Sequence, residues 1–162
     1  MTGAQHPFAP VYDQNSRVLI LGSWPSPKSR EQGFFYGHPQ NRFWRVLAAL
    51  FSERTPESIG EKREFLLSHK IAVWDIIASC DIEGSSDSSI KSVIANDITP
   101  ILKSANIEAI FVNGRTAEKY YNKYTKDVVC REAICLPSTS PANAAYSLEK
   151  LTREWGAILN YR

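Results

Sequence analysis

The chain has 162 residues, 43% of them apolar, which is enough for one hydrophobic core and short for two domains. Its 19 lysines and arginines stand against 17 aspartates and glutamates, so the net charge of +2 neither demands nor excludes a polyanionic partner. No run approaches the ~20 apolar residues that span a bilayer, and the N-terminus lacks a secretory signal pattern. We expect one soluble, cytoplasmic domain, residues 1–162.

The first unit runs from an arm through a strand into an unusual loop. Residues 1–16 form the arm, which Phe8, Val11 and Tyr12 can pack onto the body. Residues 17–21 are a short apolar run closed by Gly22, which fits a central strand buried on both faces. About twenty residues rich in aromatic rings, proline and glycine follow, and such a loop predicts a ligand that lies flat against rings.

From Phe43 onward the sequence alternates helices and strands. Helices are predicted from Phe43, over 57–69, from Thr99 to about Ala105, over 116–124 and over 147–159. Strands are predicted over 71–74, 107–112 and 132–136. A serine-rich turn at 85–89 carries hydroxyls and Asp87 that can cap a following helix. The alternation predicts a three-layer α/β/α fold around a central four-stranded, mainly parallel sheet.

Unusual sequences begin where each predicted strand ends: GSWPSP, WDIIASC, NGR and LPSTSPAN. In sheets of this class, ligands bind outside the carboxyl ends of the strands. We therefore expect the four loops to converge on one edge of the sheet and to form a site there.

The segment GSWPSP lacks both common nucleotide-binding patterns, the Gly-x-Gly-x-x-Gly fingerprint and the phosphate loop. Its two prolines fix backbone angles and leave Ser23 and Ser26 as fixed hydrogen-bonding groups. A stiff turn without a binding role is the structural alternative.

In the segment FFYGHPQNRFW, Phe35 or Tyr36 offers a ring on which a flat base can stack. Asn41 carries an amide that can position a water or read the edge of a purine. Ordinary core packing is the alternative for either ring, and an N-cap role is the alternative for Asn41. His38 has no carboxylate near it in sequence, which favours a structural role.

The segment PSTSPAN places hydroxyls and an amide on a loop braced by two prolines, a composition that can hold phosphates. Three cysteines lack metal-site or redox spacing, and the histidines have no ligand-spaced partner, so no metal and no cofactor is predicted. No nucleophile elbow is present, which weighs against an esterase.

Together these motifs resemble the uracil-DNA glycosylase superfamily from about Arg17 to Leu159. The segment GHPQNRFW is the most specific and is similar to that of the mismatch-specific uracil and thymine glycosylases. The forms GSWPSP and STSPAN look most like the hypoxanthine-DNA glycosylase branch. Where the mismatch-specific enzymes carry an asparagine that positions the hydrolytic water, this chain has Trp24, so that role moves to Asn41. The substitution favours a deaminated purine, hypoxanthine, over uracil.

The resemblance implies a monofunctional glycosylase domain that flips a damaged base out of DNA and hydrolyses its N-glycosidic bond as a monomer. Asn41 is the implied catalytic residue, and Tyr36 is the implied stacking ring. The implied base pocket comprises Gly22, Ser23, Trp24, Phe35, Tyr36 and Asn113. The implied DNA contacts are Ser26, Lys28, Ser138, Thr139, Ser140, Pro141 and Asn143.

The transition state of such a reaction is oxocarbenium-like, so a preorganised polar site can act without a strong base, and slow turnover is expected. Two alternatives stay open. One is a glycosylase for uracil or thymine in mismatches, and the other is a catalytically silent nucleic-acid binder.

Overall fold

A computed structural model describes residues 3–5, 8–81 and 91–161. Its strands are β1 (Gly3–Gln5), β2 (Val18–Gly22), β3 (Ile71–Asp75), β4 (Ile77–Asp81), β5 (Lys91–Ala95), β6 (Ala109–Asn113) and β7 (Ile134–Leu136). Its α-helices are α1 (Pro27–Gln32), α2 (Phe43–Leu50), α3 (Ile59–Ser68), α4 (Thr99–Ser104), α5 (Arg115–Tyr120), α6 (Lys126–Val129) and α7 (Leu148–Trp155). A π-helical turn, Tyr121–Thr125, joins α5 to α6, and a 3₁₀ turn, Gly156–Asn160, follows α7.

The larger sheet has four parallel strands in the order β3-β2-β6-β7. All five residues of the inner strand β2 are buried. Because side chains alternate along a strand, Val18 and Ile20 enter one hydrophobic cluster, and Leu19 and Leu21 enter another on the opposite face. The predicted four-stranded parallel sheet is confirmed.

Helices cover both faces of this sheet. The helices α2, α3 and α7 contribute Phe43, Phe65 and Trp155 to the cluster on one face. On the other face, α4 and α5 contribute Ile101 and Ala117. The fold is therefore the predicted three-layer α/β/α arrangement. None of the helices in the described ranges is long and apolar enough to cross a membrane.

A short helix, α1, interrupts the loop that the sequence predicts to be irregular. The Ser26 hydroxyl caps it by accepting from the amide of Ser29 (3.1 Å), Pro27 is its first residue, and Gly33 ends it at φ +75°. These are standard start and stop signals, but the helix sequence PKSREQ has no apolar residue. Without an apolar stripe, hydrophobic periodicity cannot reveal such a helix.

A second, antiparallel sheet, β1-β4-β5, is not predicted by the sequence. The serine-rich turn at 85–89 lies outside the described residues, but the helix predicted after it is wrong, because residues 91–95 form strand β5. Strand β1 lies within the predicted arm and pairs with β4. Strand β5 leaves Ile94 64% exposed, so this short segment carries little of the burial pattern that identifies a strand.

The N-terminal arm packs onto the body through the three predicted residues. Val11 exchanges two backbone hydrogen bonds of 3.0 Å with Val73 of β3. The ring of Phe8 meets the ring of Phe35 edge-on, with centroids 4.6 Å apart, and Tyr12 packs against the opposite core cluster. The arm thereby supports the loop that follows β2.

Candidate active site

A cavity of about 550 Å³ lies at the carboxyl ends of the parallel strands. The end of β3 and the loops that follow β2, β6 and β7 all contribute to its wall, so the predicted convergence on one sheet edge is confirmed. The predicted site residues that line it are Gly22, Ser23, Trp24, Ser26, Phe35, Tyr36, Asn41, Asn113, Ser138, Thr139, Ser140 and Pro141. A volume of this size is typical of small-ligand sites.

Tyr36 is held in an unusual conformation at the cavity. Its φ is +54°, a left-handed value that a bulky residue rarely adopts and that the surrounding structure must maintain. Its ring stacks on Phe43 with centroids 4.0 Å apart and an interplanar angle of 19°. Burial raises the pKa of its hydroxyl, the Asp75 carboxylate raises it further, and the Asn113 amide partly offsets both. The hydroxyl therefore stays protonated, while the half-buried ring forms part of the cavity wall.

The two other predicted aromatic residues differ in exposure. Phe35 is 1% exposed and its ring packs edge-on against Phe8 and Phe34, so its main role is in the core. Trp24 is half-buried, packs against the core cluster beneath α4 and α5, and lines the cavity. Trp24 therefore supplies an apolar wall, and the core-packing alternative holds for Phe35.

Asn41 lines the cavity and lies one residue before Arg42, the N-cap of α2. Its Oδ1 accepts a hydrogen bond from the backbone N–H of Phe43 (2.9 Å), which satisfies an otherwise unpaired amide at the start of α2. This bond also assigns the amide, because only the oxygen can accept. The Nδ2 group is then the remaining functional end of a half-buried side chain that lines the cavity. Asn41 consequently keeps a hydrogen-bond donor at the cavity.

The loop Pro137–Asn143, here called the serine loop, is anchored to the motif that contains Asn41. The guanidinium of Arg42 donates to the carbonyls of Ser140 and Asn143, both at 3.0 Å, and to the carbonyl of Tyr146. The backbone N–H of Arg42 donates to the carbonyl of Thr139 (3.0 Å). The segment GHPQNRFW and the serine loop are thus joined by the hydrogen bonds of Arg42.

Asn113 anchors the same loop to the end of β6. Its Nδ2 donates to the Thr139 hydroxyl (3.0 Å), and its Oδ1 accepts from the Thr139 backbone N–H (3.1 Å). Thr139 is 0% exposed. In this conformation its side chain therefore braces the loop through its bonds to Asn113, and its predicted contact with DNA phosphates stays a prediction.

Replacing Thr139 by valine tests this bracing. Valine has nearly the same shape but cannot accept from Asn113, so the half-buried Asn113 amide loses a hydrogen bond at a cost of about 1–3 kcal/mol. We expect the free energy of unfolding, measured by urea denaturation, to fall by that amount. The matched control is Thr116→Val, because Thr116 is half-buried at the same cavity and its hydroxyl has no hydrogen bond within the described part of the chain. Equal stability of the two variants would contradict the bracing role.

Three of the predicted DNA contacts have other partners or lie outside the cavity. The Ser26 hydroxyl is engaged by α1 and donates to the Ser29 hydroxyl (3.1 Å). Lys28 lies on the exposed side of α1, 3.6 Å from Glu31. Asn143 closes the serine loop by donating from Nδ2 to the Ser138 carbonyl (3.0 Å). Of the three, only Lys28 has an exposed side chain.

Ser138 and Ser140 keep the hydrogen-bonding capacity that the sequence predicts for them. Each hydroxyl accepts from a backbone N–H within the serine loop, at 3.1 Å in both cases. A serine hydroxyl can accept and donate at once. Each therefore retains its O–H as a donor, and both side chains line the cavity.

The sequence did not predict two charged residues of the cavity wall, Asp75 and Arg115. Asp75 ends β3 and is 4% exposed, and Arg115 is the exposed first residue of α5. Asp75 is the last residue of its strand within the segment WDI, and Arg115 lies two residues after the end of β6 within the segment NGR. Their position at the carboxyl ends of buried strands could have identified them from the sequence, because charged residues at that edge of a parallel sheet face the ligand.

Three comparisons with known proteins agree with this geometry. Residues 9–160 match the family model of the uracil DNA glycosylase superfamily. A hypoxanthine DNA glycosylase of Methanosarcina acetivorans is 33% identical over 160 residues, covering 95% of this chain and 97% of that protein. A second, from Methanosarcina barkeri, is 36% identical over 116 residues, covering 70% of this chain and 73% of that protein.

The solution NMR structure of a candidate uracil DNA glycosylase from Methanosarcina acetivorans superposes with a TM-score of 0.79. That structure shares 33% identity and covers 93% of both chains. The similarity extends through every segment that lines the cavity, since the matched family region includes all four loops. On sequence, fold and site together, the chain belongs to the uracil DNA glycosylase superfamily.

Proposed function

We propose that the protein is a monofunctional DNA glycosylase that removes hypoxanthine from DNA in base excision repair. The observation that carries the proposal is the pairing of the Tyr36 ring with the Asn41 amide donor at one cavity, in a chain 33–36% identical to two hypoxanthine DNA glycosylases. The whole chain, residues 1–162, acts as one domain and as a monomer, in the compartment that holds the DNA.

The base would enter the cavity by flipping out of the duplex, which costs least for a weakly paired, deaminated base. There it stacks on the face of Tyr36 opposite to Phe43, with Trp24 as a second apolar wall. Stacking of this kind contributes about 1–3 kcal/mol. Because the Tyr36 ring already stacks on Phe43, binding of the base costs little additional side-chain entropy.

The donor of Asn41 explains a preference for a deaminated purine. Adenine presents an amino donor at its six position, whereas hypoxanthine presents a carbonyl acceptor there. The Nδ2 of Asn41 can donate to that carbonyl but cannot accept from an amino group. Adenine would leave two donors facing each other in a half-buried site, which disfavours its binding.

Hydrolysis by water, without a covalent enzyme intermediate, fits the composition of the cavity. Amine nucleophiles in enzymes are usually lysines. None of the described residues that line the cavity is a lysine. The proposed products are therefore the free base and an intact strand with an abasic site.

The DNA strand would cross the rim of the cavity. Ser138 and Ser140 supply hydroxyl donors for phosphates, and Lys28 supplies a cation nearby. The exposed Pro141 projects from the same loop and would lie against the groove next to the extruded base.

A panel of duplexes that differ at one base tests the proposed specificity. We expect abasic sites to form fastest with hypoxanthine, more slowly with xanthine or uracil, and not detectably with adenine. Faster release of uracil than of hypoxanthine would favour the mismatch-type alternative instead. Tight lesion-selective binding without any abasic product would favour a silent binder.

A further inference from the structure

The segment after β3 places a carboxylate in the cavity that the proposed function has not yet used. Asp75 is 4% exposed and is the one carboxylate among the described residues that line the cavity. Its backbone is fixed on both sides, because Asp75 pairs with Gly22 in the parallel sheet and its carbonyl accepts from the Asn96 amide (2.8 Å). Its position is therefore set by the sheet rather than by a free loop.

The glycine at position 22 makes room for this carboxylate. A β-carbon at Gly22 would lie 2.4 Å from Asp75 Oδ1 and 2.9 Å from the Tyr36 hydroxyl oxygen. Both distances are too short for real contacts, so any other residue at position 22 would displace one or both groups. The carboxylate and the hydroxyl thus both lie close to Gly22, and all three residues line the cavity.

Hydrolysis of an N-glycosidic bond needs an acceptor for a proton of the attacking water. Asn41 cannot serve, because a carboxamide oxygen is not basic enough to take a proton from water. His38 Nδ1 accepts from the Gln40 backbone N–H (3.1 Å), so the neutral ring carries its hydrogen on Nε2 and is a donor there. The Tyr36 hydroxyl keeps its proton, because burial raises its pKa. Asp75 is the remaining acceptor of suitable chemistry on the cavity wall.

We infer that Asp75 is the catalytic residue that takes the proton of the hydrolytic water, an assignment that rests on the proposed glycosylase function. The water oxygen forms a bond to C1′ of the deoxyribose while the C1′–N9 bond breaks. The electron pair of the C1′–N9 bond leaves with the base. One proton of the water goes to the Asp75 carboxylate, and the departing base takes up a proton from solvent. Asp75 then returns its proton to solvent, so one water is consumed overall.

This division of labour separates the two polar groups of the site. Asn41 holds the leaving base, and Asp75 activates the nucleophile. Such proton transfer contributes about 10²–10⁴-fold to a rate. Trp24 occupies the position at which the mismatch-specific enzymes carry a water-positioning asparagine. With Asp75 activating the water, no asparagine is required at that position.

Asp75→Asn tests the assignment, because asparagine keeps the shape and removes the basic oxygen. We expect the single-turnover release of hypoxanthine to fall at least 100-fold, while the dissociation constant for the same duplex, measured by fluorescence anisotropy in the absence of turnover, changes less than threefold. Asp127→Asn is the matched control, since Asp127 is exposed on α6 and should leave the rate unchanged. If Asp75→Asn does not fold, Asp75→Ser, which removes the carboxylate with a smaller side chain, is expected to give the same separation of rate from binding.

The pH profile distinguishes a proton acceptor from a purely structural carboxylate. The pH dependence of the single-turnover rate should differ between the wild type and Asp75→Asn, whereas the loss of a purely structural carboxylate would leave it unchanged. The other titratable or charged side chains on the cavity wall are Tyr36, His38 and Arg115. His38→Gln should keep the pH dependence of the wild type, and a changed profile in that variant would overturn the assignment to Asp75.

The outcomes separate the two proposals. A wild-type chain that releases hypoxanthine while Asp75→Asn retains its rate within threefold overturns the role of Asp75 alone. A wild-type chain that releases no base from any duplex overturns the glycosylase function and the role of Asp75 together.

Discussion

Replacing Asn41 by alanine is expected to lower the single-turnover rate of hypoxanthine release by about 100- to 1,000-fold, the usual cost of removing one preorganised donor. The variant loses the Nδ2 donor proposed to hold the leaving base. It also loses the bond from Asn41 Oδ1 to the Phe43 amide, which costs about 1 kcal/mol of stability. The rate is measured with enzyme in excess over a duplex that carries one hypoxanthine.

The Asn41→Asp variant separates the two roles. Aspartate retains an oxygen that can accept from the Phe43 amide, but it replaces the donor with a second acceptor. We therefore expect near wild-type thermal stability together with a loss of rate at least as large as that of Asn41→Ala. A rate within a few-fold of wild type in either variant would show that Asn41 only stabilises the start of α2.

Replacing Arg42 by alanine is expected to release the serine loop and to weaken DNA binding at least tenfold. The guanidinium bonds to three carbonyls, of which those of Ser140 and Asn143 lie at 3.0 Å. Hydrogen bonds from a charged group contribute about 1.5–3 kcal/mol, and partial exposure reduces their sum. We expect a loss of about 2 kcal/mol in the free energy of unfolding, or a Tm lower by about 4–8 °C.

Arg42→Lys is the matched comparison, because lysine keeps the charge but cannot reproduce the planar, multiple donation of arginine. We expect it to lose most of the DNA affinity and to resemble Arg42→Ala in its Tm. If instead Arg42→Lys bound DNA as the wild type does, charge alone would matter and the anchoring of the loop would not. The binding is measured at several salt concentrations, since phosphate contacts weaken with salt.

The architecture could be predicted because its determinants are local. A continuously buried strand such as residues 18–22 reads as a short apolar run, and helix α7 shows its core contacts through Leu151 and Trp155. Strand ends in a parallel sheet share one edge, so the loops that form the cavity could be grouped without knowing a single distance.

The features that the sequence did not reveal depend on partners far along the chain or on weak local patterns. Thr139 reads as an exposed loop hydroxyl until Asn113, 26 residues earlier, is placed against it. The predicted helix over 116–124 instead continues from α5 into a π-helical turn, and no residue pattern distinguishes the two. The role proposed for Asp75 needed Gly22 beside it, a neighbour that only the sheet register supplies.

The most direct test of the central claim is the identification of the products from one duplex containing a single hypoxanthine. The wild-type chain is incubated in excess over the duplex, and free base and strands are quantified by mass spectrometry. We expect free hypoxanthine and abasic strand in equal amounts, with no cleaved strand before alkaline treatment. An unchanged duplex after full binding, or release of the base only from the free nucleoside, would contradict the account.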